Sequence, residues 1–466
     1  MKGERHDAGA IANANANANA NANAKERCLI IIENFTHYLA RVGQVALFAQ
    51  SQGLRTLLIL PSDADAQVIA SLPGWILQTE DFSFARLDQL IAPVSRDFDL
   101  AGVACVFGYF PVGGGELVSA VVARLAKKYA CRHNNPQALY RANNKFLMRE
   151  RLAQMQLSSP KFALVSKVEE CERVQNELAF PVVSKPAVGI ASGFVRINAN
   201  PAELRRSFLH CLEKVPNAFY DIRFEHDFEG RHFDNARQIL CEEYMEGIEY
   251  TVEILCMQDD YYPMLVHEKF DVTFTGSTVL EPIVFAPTVS LRAHEEDEIK
   301  AYAVAVCRAL ELQHCFCHLE LRKSATGPVV LEVNTRVGGS CIQDNIRAFY
   351  GLIYPEIFLA HACGHPIFPL QLNTQNRSGH LAMSVIYPSE KGYLREVNGL
   401  ELVRQLPGVL RATCYCEVGE FLNGEDTEIF FIDVWYEAEN EAAIRATDRR
   451  IRELIQYRIE EMRVEA

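Results

Sequence analysis

Two glutamates lie in a segment with the pattern strand, turn, strand, and this segment constrains the fold more than any other. Its arms, 318–322 and 329–334, are rich in leucine and β-branched residues, and a Gly-Pro pair lies at the turn. The hairpin predicts that Glu320 lies opposite Glu332, with Asn334 on the face of Glu332. Like charges directly opposite each other destabilise a hairpin unless something compensates them. Two carboxylates and an amide oxygen suit Mg²⁺, so the hairpin is either a divalent metal site or a solvated acidic surface.

The size and charge of the chain limit its class. It has 466 residues, too many for one ordinary core, which predicts two to four domains. A net charge of -14 argues against a general nucleic-acid binder and against a binder of anionic membranes. No stretch approaches the roughly 18 consecutive apolar residues of a membrane-spanning helix, so none is expected.

The fourteen cysteines show no CxxC pair, the spacing typical of many zinc sites. The closest groups are Cys315 with Cys317 and Cys414 with Cys416. In a large chain without a recognisable signal peptide, such cysteines are typical of reduced core thiols in a cytoplasmic protein rather than of a zinc centre.

The chain is predicted to be an α/β protein, α+β in part, and composition divides it into four segments. These are 1–24, 25–135, 136–370 and 371–466. Alanine and asparagine alternate strictly in the first segment, which predicts a disordered tail. The second alternates strands with helix patterns and predicts a small domain with a parallel sheet. The third carries nearly all the candidate chemistry, and the fourth mixes strands with a final amphipathic helix whose apolar positions extend to Ile459.

Small residues form two loops that suit a phosphate. At 113–115 three glycines follow a strand without GxGxxG spacing, which indicates a plain turn or a phosphate loop. Lys185 ends a short apolar strand and precedes a loop containing Ser192 and Gly193. The lysine provides a point charge and the small residues let backbone N–H groups approach an anion. Because the lysine precedes the loop, residues 185–195 predict a flap over a triphosphate rather than a P-loop, or an ordinary hairpin with a solvated lysine.

An acidic linker joins two strands between 239 and 253. Its residues are Glu242, Glu243, Tyr244 and Met245. Backbone groups of such a linker can pair with an adenine edge, with the tyrosine and the methionine as flat or soft neighbours. Glu249 is a candidate acceptor for two ribose hydroxyls. The alternative is an acidic hairpin turn.

Two basic residues lie near these segments. Arg336 follows the acidic hairpin and is placed to stabilise an oxyanion or an acyl phosphate, or else it is a counter-ion to Glu332. Lys145 begins a basic helix and is either a phosphate ligand from the opposite side or a solvated helix lysine.

Taken in order, these segments resemble the ATP-grasp superfamily of carboxylate–amine ligases. The resemblance rests on 144–149, 180–186, the flap ending at Ser192 and Gly193, 242–250, and 318–320 with 331–336. Stretches 391–400 and 406–409 are similar to the C-terminal domain of the L-amino-acid ligases that make dipeptides, including those of peptide-antibiotic pathways. The family implies an N-terminal pre-ATP-grasp domain, a two-lobed ATP-grasp domain and a C-terminal α+β domain.

The resemblance also implies roles. Lys145 and Lys185 would hold ATP phosphates, the linker 242–245 would pair with adenine, and Glu249 would bind ribose. Glu320, Glu332 and Asn334 would bind Mg²⁺ or Mn²⁺, usually as two ions, and Arg336 would stabilise the acyl intermediate. The substrates would be a small carboxylate and a small amine, and a homodimer is a family-level expectation.

The pattern departs from the family at two places. The flap is less rich in glycine than in relatives, which puts its mobility in doubt. Ser340 stands where a bulky residue narrows the acid pocket in some relatives, so a roomier pocket is expected unless Gln343 or Tyr350 fills it.

The expected reaction is attack of a carboxylate on the γ-phosphate of ATP, followed by capture of the acyl phosphate by an amine. The amine has to lose a proton, and Glu281 is the first candidate to hold or deprotonate it, with His267 the second. Both residues also fit purely structural roles. The alternatives are a carboxylase that forms carboxyphosphate, a non-catalytic ATP-binding sensor and a simple phosphotransferase.

Overall fold

A computed structural model describes residues 25–108, 111–112, 116–189, 191–218, 225–275, 278–339, 341–366 and 379–460. Four features singled out in the sequence lie outside these ranges: the Ala/Asn tail, the three glycines at 113–115, Ser340, and the chain around the expected boundary at 371. No helix in the described part of the chain is both long and apolar enough to cross a bilayer.

The N-terminal segment forms a four-stranded parallel sheet, as its strand–helix alternation predicts. The strands are β1 (Arg27–Ile32), β2 (Arg55–Pro61), β3 (Trp75–Thr79) and β4 (Asp99–Ala104), in the order β3-β2-β1-β4. The helices are α1 (Leu39–Ser51), α2 (Ala66–Ser71), α3 (Phe84–Asp97) and α4 (Val118–Lys128). Alternate residues of β1 enter two different apolar clusters, so both faces of the sheet are covered.

Two more helices and a small antiparallel sheet follow. The helices are α5 (Pro136–Asn143) and α6 (Lys145–Gln154), after a short hairpin of β5 (Pro111–Val112) and β6 (Glu116–Leu117). The sheet contains β7 (Phe162–Val165), β8 (Val182–Lys185), β9 (Arg196–Asn198) and β12 (Ile239–Glu243), in the order β7-β12-β8-β9. Associated elements are α7 (Glu170–Val174), α8 (Pro201–Lys214) and the hairpin of β10 (Glu225–Phe228) and β11 (Arg231–Asp234).

An eight-stranded antiparallel sheet forms the centre of the molecule, in the order β19-β18-β13-β14-β17-β20-β24-β22. Its strands are β13 (Ile248–Met257), β14 (Asp260–Phe270), β17 (Ile283–Ala286), β18 (Cys315–Ser324), β19 (Gly327–Asn334), β20 (His380–Ile386), β22 (Val409–Cys414) and β24 (Ile432–Ala438). A small hairpin of β15 (Thr273–Thr275) and β16 (Thr278–Leu280) lies between β14 and β17 in sequence. Three strands that follow residue 371 therefore extend the central sheet rather than form a sheet of their own.

The remaining elements cover this sheet or close the chain. They are α9 (Ala293–Ala309), α10 (Ile342–Tyr350), α11 (Tyr354–Cys363), α12 (Leu400–Arg404), α13 (Glu441–Leu454), and a sheet of β21 (Gly392–Asn398), β23 (Phe421–Leu422) and β25 (Gln456–Glu460). The last helix ends at Leu454, so the expectation that it continues to Ile459 is wrong. Residues 456–460 form a strand instead. Ile455, Tyr457 and Ile459 alternate with polar residues and pack against one apolar cluster, as the two-residue period of a strand predicts.

Candidate active site

A cavity of about 630 Å³ lies between the small and the central sheets and reaches the N-terminal domain. The central sheet contributes Glu249, Lys269, Glu320, Arg322 and Glu332, the small sheet Lys185 and Glu242, and the N-terminal region Phe35, Tyr38, Arg41 and Phe107. The structure thus collects most of the residues that the sequence singled out on the walls of one cavity.

The acidic hairpin has the register that its sequence predicts. Glu320 of β18 pairs with Glu332 of β19, and His318 pairs with Asn334. The register shifts immediately after Glu320, which marks a β-bulge at the two carboxylates. Asn334 donates from Nδ2 to Glu332 Oε1 at 2.7 Å, so the amide and the carboxylate already share one face.

Each facing carboxylate has a cation of its own. Glu332 Oε2 lies 2.8 Å from Lys145 Nζ, and Glu320 Oε2 lies 2.9 Å from Lys269 Nζ. His318 Nε2 lies 3.3 Å from the other oxygen of Glu320. Burial opposes the ionised form of Glu320, but Lys269 and His318 outweigh it and hold its pKa well below the usual range. These partners supply the compensation that facing carboxylates require.

Lys145 and Lys185 approach the cavity from the opposite side to the hairpin. Lys145 begins α6, whose N-terminus is capped by Asn144, and its Nζ also donates to Gly189 O in the flap at 3.3 Å. Lys185 ends β8, and its Nζ lies 2.6 Å from Glu242 Oε2. Burial lowers the pKa of Lys185 in spite of that carboxylate. Two buried ammonium groups at one cavity are suited to phosphate oxygens.

Arg149 is a structural partner that sequence reasoning missed. Its side chain is wholly buried, and its Nε donates to Glu242 Oε1 at 2.6 Å. Burial raises the pKa of Glu242, but Arg149 and Lys185 outweigh that effect and bring it down to about 2. The Glu242 carboxylate therefore fixes Lys185 in place, and the backbone of Glu242 lies inside the sheet, between β7 and β8.

The acidic linker is held by Arg322 of β18. Arg322 Nη1 donates to Met245 O at 2.8 Å, and its Nε and Nη2 each lie 3.2 Å from Glu249 Oε2. Its guanidinium lies 5.4 Å from the centre of the Tyr244 ring. Glu243 forms an ion pair with Lys161 at 3.2 Å. Glu249, the ribose candidate, lines the cavity but already accepts from two cations.

Lys269 of β14 is the centre of a second ionic group that the sequence did not predict. Its Nζ lies within 2.9 Å of carboxylate oxygens of Glu249, Glu281 and Glu320. Burial lowers the pKa of this lysine, but the three carboxylates together raise it well above the usual value. Three acids at one ammonium form an acidic wall opposite the two phosphate-facing lysines.

Glu281 and His267 differ in their access to the cavity. Glu281 lines it, and burial with the nearby Glu320 and Glu249 raises its pKa well above the usual value although Lys269 opposes this. His267 is wholly buried and does not line the cavity, and neither ring nitrogen has a hydrogen-bond partner in the described structure. Burial lowers the pKa of His267 to about 3. The structure therefore brings Glu281, but not His267, to the wall of the cavity.

Arg336 lies just beyond β19 and lines the cavity together with Arg41. Its guanidinium lies 5.6 Å from the centre of the Phe107 ring, and its Nη1 donates to Val337 O at 3.0 Å. Gln343 does not line the cavity; with its amide oxygen turned toward Arg41, it accepts from both terminal nitrogens, at 3.0 and 3.1 Å. Tyr350 also lies away from the cavity walls, so neither residue fills the pocket.

The flap is anchored to the C-terminal segment. Phe194 N donates to Asp426 O at 2.7 Å and Glu428 N donates to Ala191 O at 3.0 Å. Thr278 Oγ1 donates to Ser192 O at 3.1 Å. Ser192 and Gly193 line the cavity in this arrangement, together with Lys145 and Lys185.

Comparisons with known proteins agree with this geometry. Residues 178–344 match the family model described as an ATP-grasp domain. Carnosine synthase 1 of Gallus gallus is 28 % identical over 181 residues, 39 % of this chain and 18 % of that protein. Dapdiamide A synthase of Enterobacter agglomerans is 28 % identical over 251 residues, 52 % of this chain and 54 % of that protein. The matches thus span about half or less of these relatives.

The fold has matches over almost the whole chain. An L-amino acid ligase from Bacillus licheniformis superposes with a TM-score of 0.71 at 18 % identity, covering 94 % of this chain and all of the other. Phosphoribosylglycinamide synthetase from Anaerococcus prevotii gives 0.62 at 15 % identity and covers 93 % of this chain. Residues 178–344 therefore match an ATP-grasp domain, and the fold of the chain as a whole is similar to that of these two solved structures.

Proposed function

We propose that this protein is an ATP-dependent ligase that joins the carboxylate of one amino acid to the amine of a second. The reaction passes through an acyl phosphate and yields an amide, ADP and phosphate. The observation that carries the proposal is the cavity with Lys145 and Lys185 on one side and Glu320, Glu332 and Glu281 on the other. Relatives named for making carnosine and dapdiamide A, and a neighbour named as an L-amino acid ligase, support the choice of amino acids.

The oxygen-donor set of the hairpin fits Mg²⁺. Glu320 and Glu332 are paired in register with Asn334 on the same face, and the contacts of the two carboxylates with Lys269 and Lys145 support a role for positive charge there. Oxygen ligands with room for phosphate are what Mg²⁺ requires. When bound, the ion supplies positive charge that neutralises phosphate oxygens.

The residues of the chain divide the work of the first step. Lys145 and Lys185 neutralise charge on the phosphates of ATP while the carboxylate substrate attacks the γ-phosphorus and ADP leaves. Arg149 and Glu242 keep Lys185 in position, since both are buried and hydrogen-bonded to each other at 2.6 Å. The flap covers the cavity and limits hydrolysis of the acyl phosphate by water.

The second step uses the acidic wall and Arg336. The amine arrives as an ammonium group, which a carboxylate can hold, and Glu281 accepts its proton, because its raised pKa makes it a stronger base than an ordinary glutamate. The free amine attacks the acyl carbon, and Arg336 faces the negative charge that develops on the acyl oxygen. Phosphate then leaves and the amide remains. No nucleophilic side chain is required by this sequence of events.

A direct test measures phosphate release from ATP and Mg²⁺ with pairwise mixtures of the common amino acids. The expected result is release that needs two amino acids, with a product whose mass is their sum less one water. The matched control is the triple variant Glu320→Ala, Glu332→Ala, Asn334→Ala, which should keep its circular dichroism and lose turnover. Phosphate release with bicarbonate alone would contradict the proposal and indicate a carboxylase; a stable phosphorylated acid would indicate a phosphotransferase. ATP binding without ADP formation in any mixture would indicate a sensor.

A further inference from the structure

Four cysteine thiols meet behind the central sheet, on the face opposite to the cavity. Cys256 lies at the end of β13, Cys315 and Cys317 lie on β18, and Cys307 lies on α9, which packs against this face. Cys256 is the direct cross-strand partner of Cys315. None of the four is more than 7 % exposed. Three separate elements thus contribute sulfur atoms to one enclosed point.

The spacing of the sulfurs is that of ligands around one metal ion. Cys256 Sγ lies 3.8 Å from Cys317 Sγ, and Cys315 Sγ lies 3.7 Å from Cys317 Sγ. The sulfurs of Cys256, Cys315 and Cys317 all lie within 4.8 Å of one another. Zn–S bonds of about 2.3 Å in a tetrahedron place their sulfurs about 3.8 Å apart. The thiols therefore need little movement to share an ion.

The fourth thiol completes the set. Cys307 of α9 is wholly buried in the same apolar cluster and lies beside Cys256 and Cys317. A buried thiol on the helix that packs against this face is placed to be the fourth ligand.

The chemistry of the donors selects the class of ion. The group contains only sulfur ligands, and its surroundings are apolar side chains such as Val252, Ile254 and Val306. Thiolates prefer soft ions with filled d shells over Mg²⁺ or Ca²⁺, which require oxygen. This site is therefore distinct in chemistry, as well as in place, from the oxygen ligands on the other face of the sheet.

We propose that Cys256, Cys307, Cys315 and Cys317 bind one thiolate-coordinated metal ion, Zn²⁺ or Cu⁺, that links α9 to the back of the central sheet. The site is structural, because all four positions can be filled by cysteine. The ion would also fix the position of β18, in which His318 and Glu320 come one and three residues after Cys317 and line the cavity on the other face.

Metal content of the purified full-length protein tests the proposal. The protein is expressed in medium supplied with zinc and copper, purified in reducing buffer without chelators, and measured by inductively coupled plasma mass spectrometry. The expected result is about one Zn or Cu per chain, and the element found identifies the ion. Cys317→Ala and Cys307→Ala should each lower the content at least fivefold. Cys211→Ala, a buried cysteine in another cluster, is the matched control and should retain it.

Two further measurements keep the test decisive if the variants do not fold. Wild-type protein grown with Co²⁺ in place of zinc should show the intense sulfur-to-cobalt charge-transfer absorption of a thiolate site. Denatured wild-type protein treated with chelator should contain all fourteen thiols. The proposal is overturned by less than a tenth of an equivalent of metal, by metal retained in Cys317→Ala, by the absence of charge transfer in a cobalt-grown protein, or by a thiol count reduced by two, which would indicate a disulfide. None of these outcomes depends on ligase activity.

Discussion

The two faces of β13 and β18 contrast strongly, although they belong to the same strands. On the front, Glu249 faces Arg322, Thr251 faces Glu320, and Glu253 faces His318. On the back, the residues between them pair as Tyr250 with Leu321, Val252 with Leu319, Ile254 with Cys317 and Cys256 with Cys315. Strict alternation over the length of the pair separates a charged cavity wall from an apolar, thiol-bearing core.

The contrast shows how buried charge is made tolerable. Each front-face carboxylate has a cationic partner: Arg322 and Lys269 for Glu249, Lys269 and His318 for Glu320, and His318 for Glu253. Removing one member of such a pair leaves its partner buried and uncompensated. The charged front face therefore contributes little to the stability of the fold, whereas the apolar side chains buried on the back face stabilise it.

The largest expected effect comes from changing charge on the front face without changing shape. Glu332→Gln removes the partner of Lys145 and an oxygen of the metal set, so we expect ATP turnover with the preferred amino acids to fall at least about 10²-fold. Coupled-enzyme detection of ADP measures this. Glu311→Gln, at an exposed carboxylate that pairs with Arg141 and Arg151, is the control and should retain turnover. Equal loss in both variants would mean that the front face has no special role.

The second largest effect is expected on the back face, where a substitution should lower stability without lowering turnover. Ile299 of α9 is wholly buried against the back of the sheet. Ile299→Ala should lower the free energy of unfolding by about 2–5 kcal/mol through the cavity it leaves, while turnover per folded molecule is retained. Urea unfolding followed by fluorescence gives the first quantity. Lys300→Ala, next in sequence and in an ion pair with Glu296, should cost less than about 0.5 kcal/mol.

How far the sequence predicts these faces depends on the range of the contacts. The opposition of Glu320 and Glu332 follows from counting residues around one hairpin, and it is confirmed. The strand pattern of 28–32 likewise predicts the buried parallel strand β1. In the hairpin the two partners lie close in sequence. In β1 the continuous apolar run indicates a strand that is buried on both faces.

Contacts that join distant segments could not be predicted in this way. Lys269 meets acids from β13, β18 and the loop before β17, and nothing in its neighbours indicates three partners. The thiol group likewise joins β13, β18 and α9, so no CxxC spacing arises. The extension of the central sheet by β20 also depends on pairing across more than ninety intervening positions of the chain, from Ile283–Ala286 to His380–Ile386. Such arrangements are properties of the tertiary fold.

The buried carboxylate of Glu33 provides a comparison for the free-energy contribution of the front-face cations. Glu33, which follows β1, is wholly buried, and within the described ranges its carboxylate accepts from backbone N–H groups, including Phe107 at 2.8 Å and Phe35 at 3.1 Å. Burial outweighs these bonds and raises its pKa to about 7. The folded state therefore holds this proton more tightly than the unfolded state.

The sign of the pH dependence follows from that shift. The contribution of Glu33 to stability is complete below the unfolded pKa near 4.5 and is lost as the pH rises toward about 7. We expect a fall of about 3 kcal/mol in unfolding free energy across this window from this residue. Urea titrations at several pH values measure the slope, and Glu33→Gln should flatten it. An unchanged slope would show that backbone donors compensate a buried carboxylate as well as cations do.

The smallest expected effect concerns the flap that closes the front face. Asp426 pairs through its side chain with His210 at 2.8 Å and Arg196 at 3.5 Å, but the flap itself is held by the backbone bonds of Phe194 and Glu428. Asp426→Asn keeps those backbone bonds and weakens only the ion pairs, which are partly exposed. We therefore expect the KM for ATP to rise about threefold, equivalent to less than about 1 kcal/mol, with kcat retained. A large fall in kcat would mean that the C-terminal segment positions the reacting groups as well as the flap. Residues that take part in the reaction would then not be confined to the front face of β13 and β18.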